Sequence, residues 1–375
     1  MFDILIKNAK TLDGLTTCVA IKQGKIIAVA SSLQDDAAEK VIDLKSKRFI
    51  SAGWIDDHVH CDNDMPLYYD TPDEIGIKKG VTTIIDAGST GADTIQEFYQ
   101  HTREAKTNVY ALLNISKTGI IAQNELADLK NIQKQLVKQR VAALPDFILG
   151  LKARMSKTVV GENNYIPLEI AKELQAELHN IPIMVHIGSN PPELLEILNR
   201  LDQRDVLTHC FNGKENGILD QAAKNIKNCA MDAYKRGVRF DIGHGTDSFN
   251  FITARYAKEA GITPYTLSTD IYYKNRESGP VFDLATTMEK LLVVGYSMSE
   301  IIRMVTEHPA ESFRLKNKGK LEVGYDADIT IFDIVEGTKE LVDSNGNKEI
   351  TKKLIIPSYT IVGGEIYENE PIPEI

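Results

Sequence analysis

Two rhythms of apolar and polar positions divide the chain. At both ends the period is two. Asp3-Ile4-Leu5-Ile6-Lys7-Asn8, Cys18-Val19-Ala20-Ile21 and Lys25-Ile26-Ile27-Ala28-Val29-Ala30 are short β-type runs, and Gly24 sits in a tight turn between the last two. Three such strands are too few to bury their own face. The other end supplies matching runs at Ala327-Asp328-Ile329-Thr330-Ile331-Phe332, Lys353-Leu354-Ile355-Ile356 and Tyr359-Thr360-Ile361-Val362. The two ends are therefore expected to pair into one small β-sandwich domain, residues 1–52 plus 316–375.

Between them, over 53–315, buried-type strands alternate with helical patterns. Strand candidates are 54–60, 81–87, 108–114, 146–152, 182–187, 205–210, 238–243 and 266–270. Helical spacing is expected over Leu168 to Leu178, Leu219 to Lys235 and Asp283 to Leu292. Eight βα units predict an α/β fold, a (β/α)8 TIM barrel; pattern alone leaves an open doubly wound sheet as the alternative.

Composition narrows the partners. A net charge of -10 argues against nucleic acid or an anionic membrane surface as the main partner. No apolar run approaches spanning length, and Met1 to Lys7 alternates like a strand rather than a signal peptide. The four cysteines, Cys18, Cys61, Cys210 and Cys229, are far apart and form no CxxC pair, so free thiols in a reducing cytoplasm are expected.

The candidate chemistry lies at the strand ends. His58 and His60 close the first strand, and side chains two apart on a strand share a face, so both imidazoles point at one place. Such a pair can chelate Zn, Fe, Ni or Co. Barrel active sites form where strands end at their C-terminal side. Lys152 ends the fourth candidate, His186 the fifth, His209 the sixth and Asp270 the eighth, and four of the chain's eight histidines fall in this set. His101 and His179 sit in polar helical surroundings and read as solvent-facing; His308, before Pro309, reads as structural. His244, in the loop after the seventh strand, could reach the site as a substrate-binding residue.

The ordered set His-x-His, strand-four lysine, two single histidines and strand-eight aspartate resembles the amidohydrolase superfamily in its binuclear, carboxylated-lysine form. Gly80-Val81-Thr82-Thr83-Ile84-Ile85-Asp86-Ala87-Gly88 and Gly324-Tyr325-Asp326-Ala327-Asp328-Ile329-Thr330-Ile331-Phe332-Asp333 are similar to its flanking signatures. The likeness is nearest to dihydroorotase-like and adenine-deaminase-like proteins, particularly a deacetylase group. It implies two divalent ions, with zinc expected. His58 and His60 would hold the more buried ion, and His186 and His209 the more exposed one. Lys152, carboxylated by CO2, would bridge them, and Asp270 would be both ligand and catalytic base. Where dihydroorotases carry an arginine two positions after the His-x-His, this chain has Asp62, preceded by Cys61; where adenine deaminases carry a glutamate it has Lys152.

Arg154, two residues after Lys152, could either grip a substrate carboxylate or form an ordinary rim ion pair. The expected function is that of a metal-dependent deacetylase of a small-molecule substrate. That substrate would be a small acylated acid, an O-acetyl hydroxy acid or an N-acetyl amino acid. Alternatives are a cyclic amidase, a purine deaminase or, in a different class, a metal-free scaffold protein. A homo-oligomer is compatible with all of these.

Overall fold

The computed structural model describes residues 1–369. In chain order the strands are β1 (Phe2–Lys10), β2 (Thr16–Lys22), β3 (Lys25–Ala30), β4 (Ala38–Asp43) and β5 (Phe49–Ala52). There follow β6 (Trp54–Val59), β7 (Val81–Ala87), β8 (Asn108–Asn114), β9 (Ile148–Met155), β10 (Ile183–Ile187) and β11 (Val206–Thr208). The remainder are β12 (Leu219–Asp220), β13 (Asn225–Ile226), β14 (Arg239–Phe240), β15 (Ile329–Val342), β16 (Lys348–Val362) and β17 (Glu365–Glu368).

Both chain ends enter one eight-stranded sheet, ordered β17-β16-β15-β5-β1-β2-β3 with β4 beside β1. The join is antiparallel, with Ile329 opposite Ala52 and Phe332 opposite Phe49. The period-two pattern sorts the faces. Ile4 and Ile6 pack with Val19, Ile21, Ile50, Ile329 and Ile361, while Leu5 packs with Cys18 and Ala20 on the other side. The expected sandwich residues 370–375 lie outside the described residues. β15 and β16 are longer than their apolar runs, because a register shift at Gly337 and Thr338 lets the ladder resume, out to Val342 opposite Lys348. The five-residue turn 343–347 is thereby carried away from the sheet to the mouth of the central domain.

The central sheet is parallel, ordered β14-β11-β10-β9-β8-β7-β6, and curls into a half-barrel. The eighth candidate strand forms no regular ladder. Instead the segment bridges both sheet edges, Thr266 to Asp241 and Ile271 to Val59. Asp270 N donates to His58 O (2.7 Å), His60 N to Ile271 O (2.9 Å) and His244 N to Ser268 O (3.1 Å). A ladder breaks here because Asp270 adopts φ 50° and because Thr269 N–H donates to the buried Asp56 Oδ1 (3.0 Å) instead of to a neighbouring strand.

Two further sequence readings need correction. β9 continues to Met155, so Lys152 sits inside the strand rather than at its end. The helical pattern over Leu219 to Lys235 is split into the β12–β13 hairpin and a helix, Asn228–Arg236. Asp220 Oδ1 accepts the N–H groups of Ala222 and Ala223, an Asx turn that outcompetes helix there. Helices Ile166–Glu177 and Leu284–Val294 follow their patterns, the second capped by Asp283. Among the described residues no helix is long and apolar enough to cross a membrane.

Candidate functional site

A cavity of about 540 Å³ opens where β6, β9, β10 and the loops after β11 and β14 end. His58, His60, Lys152, Arg154, His186, His209 and Asp270 all line it. His58, His60, His209 and Lys152 are buried, whereas His186 is partly exposed at the mouth. Lys152 Nζ lies 3.0 Å from His58 Nε2, and Asp270 Oδ1 is 3.3 Å from His58 Nε2 and 3.1 Å from His60 Nε2. One ligand atom each from His58, His209 and Asp270 lies within 4.8 Å of the others.

The tautomers follow from proton counting. Thr208 Oγ1 donates its one proton to Asp241 Oδ2 (2.7 Å), so toward His58 Nδ1, 2.8 Å away, it can only accept. Ser89 Oγ likewise donates to Asp86 Oδ2 (2.8 Å) and accepts from His60 Nδ1 (2.7 Å). His209 Nδ1 faces the Gly243 carbonyl at 2.7 Å and must donate. Each ring therefore carries its proton on the outer nitrogen and aims an Nε2 lone pair inward. Two of these lone pairs confront Asp270 Oδ1. Lys152 Nζ already faces one of these lone pairs, that of His58, and a divalent cation would satisfy the rest; imidazole with carboxylate is a donor set suited to zinc or its neighbours.

Charge states agree. Burial, reinforced by Lys152 and the other imidazoles, holds His58 well below the usual histidine range. Burial also takes His209 to about 4, with Asp270 opposing and Lys152 reinforcing. His186 is lowered by burial, then by His209 and Arg154. All three rings are therefore neutral at pH 7. Lys152 is brought down to about 7, chiefly by burial against the opposing pull of Asp270 and Asp241. Burial works to raise Asp270, yet His60, His209 and Lys152 outweigh it and keep the carboxyl below its ordinary value.

The backbone is strained where the ligands sit. His209 (φ 65°) and Asp270 (φ 50°) are left-handed, an arrangement that costs about 1–3 kcal/mol per residue and persists only under surrounding constraint. The constraint includes two glycines that leave no room for a side chain. A Cβ on Gly243 would lie 2.2 Å from Thr208 Oγ1, and one on Gly245 2.3 Å from Asp270 Oδ2.

Arg154 lies beside His186 in the β9–β10 register, on the same face as Lys152. Its Nη1 donates to buried Glu125 Oε1 (3.0 Å) and its Nη2 to Gln123 Oε1 (2.9 Å), so it both lines the cavity and holds an ion pair. His244 requires correction, since it does not line the cavity. Its ring is buried, stacked on Phe249 (centroids 4.8 Å apart), with Nε2 2.8 Å from Lys290 Nζ. The glycine on either side of it turns the loop so that this side chain points inward beneath the pocket wall.

Several site residues escaped the sequence reading. Thr208, Asp241, Ser89 and Asp86 orient the imidazoles, and Tyr68, Tyr272, Lys214 and Asp247 complete the wall. Asp241, an acid between apolar Phe240 and Ile242, and Asp86, in Ile84–Ala87, were the available signals: a buried carboxylate needs partners.

Comparison with known proteins finds relatives over almost the whole chain. A family profile described as a deacetylase-like composite domain matches residues 321–368. A deacetylase of Enterococcus faecalis is 59% identical over 98% of this chain and 100% of its own. A crystal structure described as an adenine deaminase is 58% identical, with TM-score 0.97 over 98% of this chain and 100% of that one. Another, described as a dihydroorotase, is 36% identical, with TM-score 0.89 over 98% and 97%.

Proposed function

The chain belongs to the deacetylases of the amidohydrolase superfamily and is a hydrolytic enzyme acting on an amide or ester bond; from that premise we propose that it deacetylates a small acylated acid. The acid is an O-acetyl hydroxy acid or an N-acetyl amino acid. The observation that carries this reading is the convergence of three Nε2 lone pairs and Asp270 Oδ1 beside a buried lysine.

Two divalent ions, zinc by preference, would be held by His58 and His60 on one side and His186 and His209 on the other, with Lys152 and Asp270 between. Ions bound there would polarise the acyl carbonyl and make water a nucleophile near neutral pH. Lys152, brought to about 7, would offer neutral amine to CO2, releasing one proton to solvent and leaving a carbamate whose negative charge would suit the site. Asp270, ionised and within reach of both His58 and His60, accepts the proton of the attacking water and delivers it to the leaving oxygen or nitrogen. The hydrogen bonds of residues 266–271 to both sheet edges support reading 53–315 as a complete (β/α)8 barrel, with 1–52 and 316–375 as its companion domain.

The chemistry of cyclic amide or purine substrates is less well served. Asp62 occupies the position where dihydroorotases grip a carboxylate with arginine, and Lys152 the position where adenine deaminases carry glutamate. The test is acetate release from a panel of O-acetyl and N-acetyl acids, both enantiomers, by Zn- or Mn-loaded protein. Turnover within this panel and none of adenine or dihydroorotate is expected; the reverse pattern overturns the reading. Lys152→Ala should be inactive yet partly restored by added acetate or propionate.

A further inference from the structure

Two cations besides Lys152 face the cavity, and each already has a carboxylate partner. Arg154 is paired with Glu125, and their side chains are 9% and 0% exposed. Lys214 is paired with Asp247 at 2.5 Å, and theirs are 31% and 74% exposed. These two pairs differ in kind. Pulling Arg154 from Glu125 would leave a charge buried without compensation, so that pair is fixed. An exposed ion pair contributes little and exchanges readily with a competing carboxylate.

The geometry makes the second pair usable. Lys214 follows His209 by five residues in a turn pinned by Asn212, whose Nδ2 donates to His209 O (2.8 Å) and whose Oδ1 accepts Lys214 N (2.9 Å). Gly213 packs so closely on the 343–347 turn that a Cβ there would lie 2.5 Å from Asn345 Oδ1. The backbone is therefore held, and only the lysine side chain is free to swing. Its side chain lines the same cavity as His186 and His209.

We propose that Lys214 is the residue that reads the free carboxylate of the substrate, exchanging Asp247 for it, while Arg154 stays bound to Glu125 as a rigid wall. This inference rests on the acylated-acid reading above. An acid displaces Asp247 into solvent, where it is mostly exposed already; a neutral acyl ester gains nothing from Lys214. Asp247 thus acts as a resident competitor that tunes affinity for acids.

The test compares an O-acetyl hydroxy acid with a neutral acetyl ester of similar size, and measures binding of the product hydroxy acid by calorimetry. Lys214→Met should raise KM for the acid and weaken product binding roughly 10- to 100-fold, the loss of a charge-assisted hydrogen bond, with the neutral ester within twofold. Lys214→Arg should restore most of the acid preference. Asp247→Asn should lower KM for the acid by several-fold, the opposite sign. Equal effects of Lys214→Met on both substrates, or a raised acid KM in Asp247→Asn, overturn the proposal. So does an acid-selective loss in Arg154→Met without one in Lys214→Met. Failure of the acylated-acid reading shows separately, as a wild-type protein that releases acetate from neither compound; the calorimetric comparison then still decides whether Lys214 holds the acid.

Discussion

A single proton on Thr208 decides how His58 presents itself. Because that proton is committed to Asp241, His58 must keep its own on Nδ1 and face the site with a lone pair. Thr208→Val preserves shape but removes this acceptor, so divalent-metal affinity should fall about 10- to 100-fold with the fold retained, as outer partners of metal-binding histidines usually show. Competition titration with a chelator measures it, and unchanged affinity would refute the tautomer argument. Gly245→Ala is harsher, since the new methyl would press on Asp270 Oδ2 at a backbone with φ +54°. Its expected outcome is lost acetate release with near-native circular dichroism. Legibility at this scale was uneven for a physical reason. His58, His60, His186, His209 and Asp270 announce themselves by residue type at strand ends. Thr208 and Ser89 are ordinary residues whose roles exist only through a folded hydrogen-bond chain. Arg154 shares a face with Lys152 because strand periodicity fixes that for residues two apart; its partner Glu125 comes from a loop that no periodicity reaches.

Among the elements, the helix Leu284–Val294 carries a lysine into the interior. Lys290 Nζ is buried against His244 Nε2 (2.8 Å) and Pro280 O (2.7 Å). Burial, then Lys339, brings it down to about 7 against the opposing pull of Asp343, Asp283 and Glu289. Folded protein therefore holds this site neutral above about 7, while an unfolded lysine stays protonated to about 10.4. Its stability contribution is complete above the unfolded value and is lost as pH falls toward 7. From pH 7.5 to 9.5 the wild type should gain about 1.4 kcal/mol per pH unit relative to Lys290→Met. Urea unfolding of both proteins at the two pH values measures this, and parallel pH dependences would rule it out. The helix itself was legible because its apolar positions recur at helical spacing. The β12–β13 hairpin was not, because one Asp220 side chain redirects a segment whose pattern favours helix. Likewise the eighth strand was legible by position but not by form, since with Asp270 in a left-handed turn the segment makes only isolated bridges to its neighbours.

At the scale of the whole molecule, the long β15–β16 hairpin joins the end sheet to the pocket. In its turn, Asp343 Oδ2 accepts Phe251 N–H (2.9 Å), Ser344 N donates to Phe249 O (2.9 Å) and Ser344 Oγ donates to Gly245 O (3.1 Å). These contacts hold the 244–250 loop, whose Thr246, Asp247 and Ser248 line the cavity. Asp343→Ala should cost about 1–3 kcal/mol, the penalty for stranding buried donors, and should raise KM alongside the fall in Tm. A lowered Tm with unchanged KM would show the turn to be scaffold only. Timing gives the same feature a further meaning. A ribosome releases His58 through Asp270 well before it reaches Asp343, and the free edge of β5 waits until β15 emerges. Chains fold from the N-terminus as they emerge, and an unpaired strand edge is a template for aggregation. A nascent chain halted before Ile329 would own every candidate ligand and none of the turn that steadies the loop over them. The loop over the candidate ligands is thus steadied late in translation, so any pause within residues 271–328 prolongs the stage at which the β5 edge lies open to aggregation.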